Sequence, residues 1–150
     1  MYMMDTPLTI THILTRARNF FPNNEIVSRL ADGIFRYTYK DMYERTLRLA
    51  SVMSEFGVSR GDKVATLAWN DHRHLEAYFA MPVMGAIVHT VNMRLSPEHI
   101  IYILNHAEDK VLLFESLDHS ARRSGTATNQ STNRGSIIFA RKLIKYLQHS

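Results

Sequence analysis

The chain of 150 residues contains no cysteine, so it can form neither a disulfide framework nor a metal site built from thiolates. Its first residues lack the basic start and the apolar run of a secretory signal peptide. The uncharged stretch from Ala77 to Asn92 is interrupted by Pro82 and Gly85, and it is shorter than the ~20 apolar residues that a membrane-spanning helix needs. These absences predict one soluble domain in the cytoplasm.

The net charge of +4 comes entirely from the C-terminal part of the chain. Residues 1–114 contain twelve Lys and Arg against twelve Asp and Glu, whereas residues 115–150 contain six against two. A nucleic-acid-binding protein places its excess of basic residues on a folded face. Here the excess lies where the pattern of secondary structure is weakest, so we expect no nucleic-acid binding.

Up to Phe114 the sequence alternates between apolar residues at helical spacing and short runs of strand-forming residues. The N-terminal part is predicted to contain a helix from Thr9 or Thr11 to Phe21, a hairpin from residues 26–28 and 34–37, and a helix that Thr38 and Asp41 begin and Gly57 ends. Three strands are then predicted over residues 63–68, 86–91 and 110–114. A helix that begins at Asn70 or Asp71 lies between the first two strands, and a helix that begins at Ser96 lies between the last two. The third helix is expected to end early or kink at Pro82. Its predicted inner positions are Leu75, Tyr78, Phe79 and Val83.

This order of elements predicts an α/β fold: a partial doubly wound parallel sheet (βαβαβ), preceded by a helix, a hairpin and a helix. Residues 1–114 would form an incomplete N-terminal subdomain. Residues 115–136 contain few apolar side chains, which predicts a disordered linker-like segment. Residues 137–150 return to a helical pattern and are expected to form a short basic helix.

The histidines do not form a metal-binding pattern. His72 and His74 lack the spacing that would place them on one helix face. His89, His99 and His106 have no evident carboxylate or thiolate partner. We therefore interpret the histidines as residues at the surface or near helix caps.

Three short motifs each have a simpler interpretation than a catalytic or binding site. Glu108 and Asp109 are adjacent acids, and we expect a solvated helix end rather than a pair that converges on one substrate atom. Residues 124–128 resemble half of a phosphate loop, but no strand precedes them, so chance composition is the stronger interpretation. Residues 69–72 follow the first parallel strand, at the edge where ligands bind in such sheets. Asn70 would cap the helix there or contact a ligand, and the cap is favoured.

Together, these segments resemble the N-terminal part of the AMP-forming acyl-CoA ligases over about residues 7–114. Medium- and long-chain fatty-acyl-CoA ligases are the most similar in pattern. The resemblance rests on residues 37–39 before a helix, Gly57 with residues 61–64, Trp69 with Asn70, residues 74–79, residues 85–92, residues 94–97 and residues 102–107.

The resemblance implies a parent enzyme that adenylates a carboxylic acid with ATP and Mg²⁺ and passes the acyl group to coenzyme A. In this family the phosphate loop, the metal-binding motifs and the catalytic lysine come later in the chain, and no position here matches them. No catalytic, cofactor-binding or metal-binding residue is therefore carried over, and neither Lys142 nor Lys145 takes the role of the catalytic lysine. We expect a truncated ligase that needs no cofactor of its own and is inactive alone.

The pattern changes abruptly after Phe114, as a frameshift, premature stop or aberrant splice would produce, although a purposeful short form is the alternative. A second hypothesis is an interaction module, in which exposed sheet edges pair with another copy or with a full-length ligase. A third is membrane contact by residues 137–147. That binding should be weak, because the segment is short and lacks Trp.

Overall fold

The computed structural model describes residues 8–30, 33–115 and 137–139. The N-terminal part begins with helix α1 (Ile10–Phe20), followed by strands β1 (Glu25–Leu30) and β2 (Gly33–Thr38) and by helix α2 (Tyr39–Glu55). The two strands form an antiparallel pair in which Glu25 lies opposite Thr38 and Leu30 opposite Gly33. The predicted first helix, hairpin and second helix are confirmed.

A sheet follows whose first three strands are parallel, with a helix between each consecutive pair of these three strands. Its elements are β3 (Lys63–Leu67), α3 (His72–Val83), β4 (Ile87–Thr90), α4 (Pro97–Ala107) and β5 (Val111–Glu115), and β6 (Ile137–Phe139) joins the sheet last. The strand order is β4-β3-β5-β6, and β3 is parallel to both β4 and β5. The chain thus adds one strand on each side of β3, which confirms the predicted doubly wound arrangement.

Alternate side chains of β3 enter two different cores, one on each face of the sheet. Val64 packs with Val111 and Leu113 of β5 against α2 and α3. Ala65 packs with Leu112 and with Leu104 of α4 on the opposite face. Because successive residues of a strand point to opposite faces, the continuous apolar run predicted for this strand is explained by two-sided burial.

Helix α3 has apolar neighbours on two sides. The prediction of a single inner face for this helix is therefore partly wrong. Ala77, Ala80 and Met81 pack against the sheet. Leu75, Phe79 and Val83 pack instead on a third cluster around Leu14, Tyr37 and Met42, which joins α1, the hairpin and α2. Tyr78, predicted to be inside, is 41% exposed. A helix between two apolar layers has no single buried stripe for the sequence pattern to reveal.

Local signals fix the ends of the helices as predicted. Thr38 and Asp41 form a complete capping box at the start of α2, and Ser96 caps α4 with Pro97 in its first turn. Gly57 follows α2 with a φ of 81°, a left-handed conformation that glycine adopts without strain. Helix α3 ends at Val83, directly after Pro82, as expected for a helix that a proline closes.

Residues 137–139 form a strand, so the predicted basic helix does not begin at Ile137. This strand runs antiparallel to β5, with Phe114 opposite Ile138. Ile-Ile-Phe is a strong strand-forming sequence, and the free edge of β5 offers backbone groups for pairing. Residues 116–136, predicted to be disordered, and residues 140–150 lie outside the described residues. Among the described residues, every helix is too short or too polar to cross a lipid bilayer.

The threonine caps of α1 and α2 offer a matched test of capping. The Thr38 side chain accepts a hydrogen bond from the backbone of Asp41, whereas Thr9 begins α1 without such a bond. We expect Thr38→Ala to lower the free energy of unfolding by about 1 kcal/mol. Thr9→Ala should cost clearly less. Urea unfolding followed by circular dichroism measures both changes, and equal losses would show that the capping box contributes no stability.

Candidate functional site at the carboxyl edge of the sheet

The loops that follow β3 and β4 meet at the carboxyl edge of the parallel sheet. The backbone N–H of Val91, directly after β4, donates to the carbonyl of Thr66 in β3 over 2.9 Å. This bond holds the start of the 91–96 loop beside the start of the 68–71 loop. Open α/β sheets bind ligands at this edge, so the two loops form the candidate site.

Asp71 shapes the first loop by capping α3. Its side chain accepts hydrogen bonds from the backbone N–H groups of Arg73 at 2.9 Å and His74 at 3.1 Å. Of the two predicted caps, Asp71 is therefore the one that forms, and the favoured cap by Asn70 is wrong. Asn70 is exposed beside Trp69, whose side chain is 52% exposed. The loop thus presents one amide and one indole at the edge.

A buried hydrogen bond ties the first turn of α3 to the end of β3. Nε2 of His74 lies 3.0 Å from Oγ1 of Thr66, and both side chains are buried. The imidazole also packs on the ring of Tyr78, with 4.8 Å between ring centroids. Burial lowers the pKa of His74, which favours the neutral ring. The bond spans the 68–71 loop and fixes its two ends.

A second polar cluster lies beneath the loop, between β2, α2 and α3. Nε of Arg45 donates to Oε1 of Glu76 at 2.7 Å and a second guanidinium nitrogen donates to Oε2 at 3.3 Å. Burial raises the pKa of the Glu76 carboxyl, and the Arg45 guanidinium partly offsets this rise. The buried Tyr37 hydroxyl lies beside the Glu76 carboxyl. Its pKa is raised by burial and by the charge of Glu76.

His72 completes this cluster. Its ring stacks on Phe35 with 4.1 Å between centroids and meets Tyr37 edge-on at 5.7 Å. His72 and His74 lie in the first turn of α3, next to its cap as interpreted, but their side chains are buried and not at the surface. Burial lowers the pKa of His72. The pair lies in the interior because α3 has packed layers on two sides.

A partly buried His89 and a buried Asp109 form a further pair on the α4 face of the sheet. Nδ1 of His89 lies 2.8 Å from Oδ2 of Asp109, whose side chain is fully buried. Burial raises the pKa of Asp109, and His89 partly offsets the rise. The sequence interpretation is thus wrong on two points, because His89 has a carboxylate partner and Asp109 is not solvated. Glu108 alone is exposed, at the left-handed end of α4.

These polar groups act by holding elements together rather than by meeting a substrate. The Thr66–His74, Arg45–Glu76 and His89–Asp109 contacts are buried or partly buried, and each joins two different elements. Within residues 8–30, 33–115 and 137–139, no three His, Asp or Glu side chains converge so that they could hold a metal ion. Residues 124–128, weighed as half a phosphate loop, lie outside the described residues.

Sequence reasoning missed all three contacts because their partners lie far apart along the chain or on different elements. Arg45 and Glu76 are 31 residues apart, and His89 and Asp109 are 20 apart. One local signal was available. Glu76 lies between Leu75 and Ala77 in a helix with few charges, and a carboxylate within an apolar stripe needs a cationic partner.

The fold and this edge define an α/β protein with a partial doubly wound parallel sheet. Comparison with known proteins identifies the family: the AMP-binding enzyme family matches residues 14–146. Because this match covers most of the chain, the protein belongs to that family.

Two relatives and one solved structure show how far the similarity extends. A long-chain-fatty-acid–CoA ligase from Thermus thermophilus is 55% identical over 114 residues, which is 75% of this chain and 21% of the relative. A 3-methylmercaptopropionyl-CoA ligase from Ruegeria lacuscaerulensis is 39% identical over 115 residues, or 76% of this chain and 21% of the relative. The structure of a Mycobacterium tuberculosis fatty acyl CoA synthetase matches with a TM-score of 0.66 and 24% identity, over 71% of this chain and 21% of that one.

The chain therefore spans about a fifth of the length of the curated relatives that it matches. The third comparison shows the shared fold. The predicted resemblance to fatty-acyl-CoA ligases is confirmed at the level of the family.

Two buried threonines test the anchoring of the loop. Thr66 hydrogen-bonds His74, whereas the Oγ1 of the equally buried Thr46 has no partner among the described residues. Thr66→Val should lower the free energy of unfolding by about 1 to 3 kcal/mol, because it leaves the buried imidazole unsatisfied. Thr46→Val should be neutral or stabilising. Urea unfolding measures both, and a greater loss for Thr46→Val would contradict this account of the site.

Proposed function

We propose that this chain is the N-terminal part of a ligase that activates a fatty acid to its coenzyme A thioester, and that the 150-residue polypeptide is inactive alone. The 55% identity to the long-chain-fatty-acid–CoA ligase carries this proposal. In the proposed parent reaction ATP and Mg²⁺ convert the acid to an acyl adenylate, and coenzyme A then takes the acyl group. A cytoplasmic location stays a prediction.

The described residues do not by themselves fit the substrates of that reaction. Adenylation needs preorganised donors and a metal around the triphosphate. The described part of the chain has no group of three metal-ligating side chains. Near the candidate site, the guanidinium of Arg73 is paired with Asp71 at 3.3 Å. We therefore derive no catalytic step from these residues.

In the proposed ligase, the described residues hold two loops of the active site in position. The Thr66–His74 bond fixes the 68–71 loop, and the Val91–Thr66 bond fixes the neighbouring loop. A ligase must hold its reacting groups in place to within a fraction of an ångström, so rigid edges of this kind raise the rate without touching the reacting atoms. In this proposal, residues 8–115 form one wall of a larger active site.

ATP–pyrophosphate exchange tests the proposal with a panel of acids from short to long chain. The 150-residue chain alone should give no exchange above background. A chimera in which this chain replaces the matching segment of the Thermus thermophilus ligase should retain exchange, with that ligase lacking the segment as the control. Exchange by the chain alone would contradict its inactivity. A folded chimera without exchange would contradict the assignment to fatty-acid activation.

A second candidate function, an interaction module, is favoured by the free edge of β4. Among the described strands β4 pairs only with β3, and its Ile87 is 50% exposed. An unpaired edge strand can add a strand from another chain, so the partner would be a second copy or a full-length ligase. Light scattering after size exclusion should then give the mass of a dimer. A single sharp peak with the mass of the monomer, together with no binding of an apolar dye by the protein, would contradict this second function.

A further inference from the structure

A groove of about 380 Å³ lies between α1, the hairpin, α2 and α3. Its lining is mainly apolar, and the main contributors are Ile13, Ala17, Phe21, Ile26, Leu75 and Phe79. This volume falls within the range of about 300 to 1,000 Å³ that is typical of small-molecule sites. The groove lies on the side of α3 that faces α1 and the hairpin, so it is separate from the carboxyl edge.

The rim of the groove exposes apolar surface to water. Ile13 is 58% exposed and Phe21 is 45% exposed, although both line the groove. Covering such surface with an apolar ligand is favourable, because it removes hydrocarbon from water. The floor includes Met42, which is buried and belongs to the cluster that holds α1 in place.

Within the described part of the chain, the cation at this rim has no acidic partner. Arg16 lines the groove, and its guanidinium carbon lies 5.2 Å from the ring centre of Phe20 and 5.9 Å from that of Phe21. No carboxylate of the described residues forms an ion pair with it. An exposed guanidinium beside an apolar groove is suited to a carboxylate or another anionic head group.

We propose that this groove binds an amphiphile with an anionic head and a single apolar tail, the chemical class of a medium-chain fatty acid. The head group contacts Arg16, and the tail lies along Ile13, Ala17 and Phe21 towards Leu75 and Phe79. This site lies outside the carboxyl edge and does not depend on the proposed ligase activity. A fatty acid bound in this groove would lie away from the carboxyl edge of the sheet and would not be adenylated there.

Calorimetric titration with two probes tests the head-group preference: decanoate and decyltrimethylammonium, each below its micelle concentration. The two probes share a tail and differ in the sign of the head group. We expect decanoate to bind with one site per chain and about three- to fivefold more tightly than the cation, the size of effect that an exposed ion pair supports. ATP is absent from the titration, so its outcome is independent of acid activation.

Three variants locate the site. Arg16→Glu should reverse the preference between the two probes. Ala17→Phe should fill the groove and abolish the binding of both. Arg18→Glu is the matched control, because Arg18 lies on the same helix but contacts the ring of Tyr43 at 5.6 Å and does not line the groove. Its decanoate affinity should change less than twofold, within about the error of the method.

Circular dichroism shows whether each variant folds, and the Arg16→Glu result decides the question if Ala17→Phe does not. Equal affinity for both probes would overturn the proposal, since it would indicate apolar partitioning without a head-group site. Unchanged decanoate affinity in Arg16→Glu, or no binding by the unmodified chain at about 1 mM, would also overturn it.

Discussion

The two-sided burial of β3 is the constraint on which the rest of the structure depends. Val64 and Ala65 are completely buried although they point to opposite faces. A strand in that position must be covered by helices above and below. The chain meets this need by placing α2 and α3 on one face and α4 on the other. The order β4-β3-β5 fits this arrangement, because α3 leads from β3 to β4 on one face and α4 leads from β4 back across the opposite face to β5, on the other side of β3.

This burial also determines where polar groups can be tolerated. A polar side chain inside such a layer is costly unless it finds a partner, and each partner here comes from another element. Arg45 of α2 reaches Glu76 of α3, and His74 of α3 reaches Thr66 of β3. The N-terminal layers are thereby joined to the sheet through α3. These bonds give directional links at positions where apolar packing alone would permit small shifts of the helix.

The sequence predicted the features that depend on neighbouring residues, such as helix caps and turns. It did not predict the contacts between elements that form only when the chain is packed. The capping box at Thr38, the proline start after Ser96 and the glycine end at Gly57 act within a few residues, so they are visible in the chain. The inner face of α3 was partly misassigned because two layers bury it and erase the helical stripe. The pairing of His89 with Asp109 depends on strand order, which no local pattern reveals. Residues 137–139 pair with an edge far away in sequence, and that pairing overrides a helical pattern.

The same distinction explains why the family could be predicted from these residues and a catalytic role could not. A family is recognised from the order and spacing of turns, caps and strands, which the fold requires and the chain displays. A catalytic role requires a side chain that meets a reacting atom. The polar contacts described here are internal, and of the three only the Thr66–His74 bond reaches the carboxyl edge, through the 68–71 loop that it spans. At that edge the loop exposes the side chains of Trp69 and Asn70, and none of the three internal contacts includes either of them.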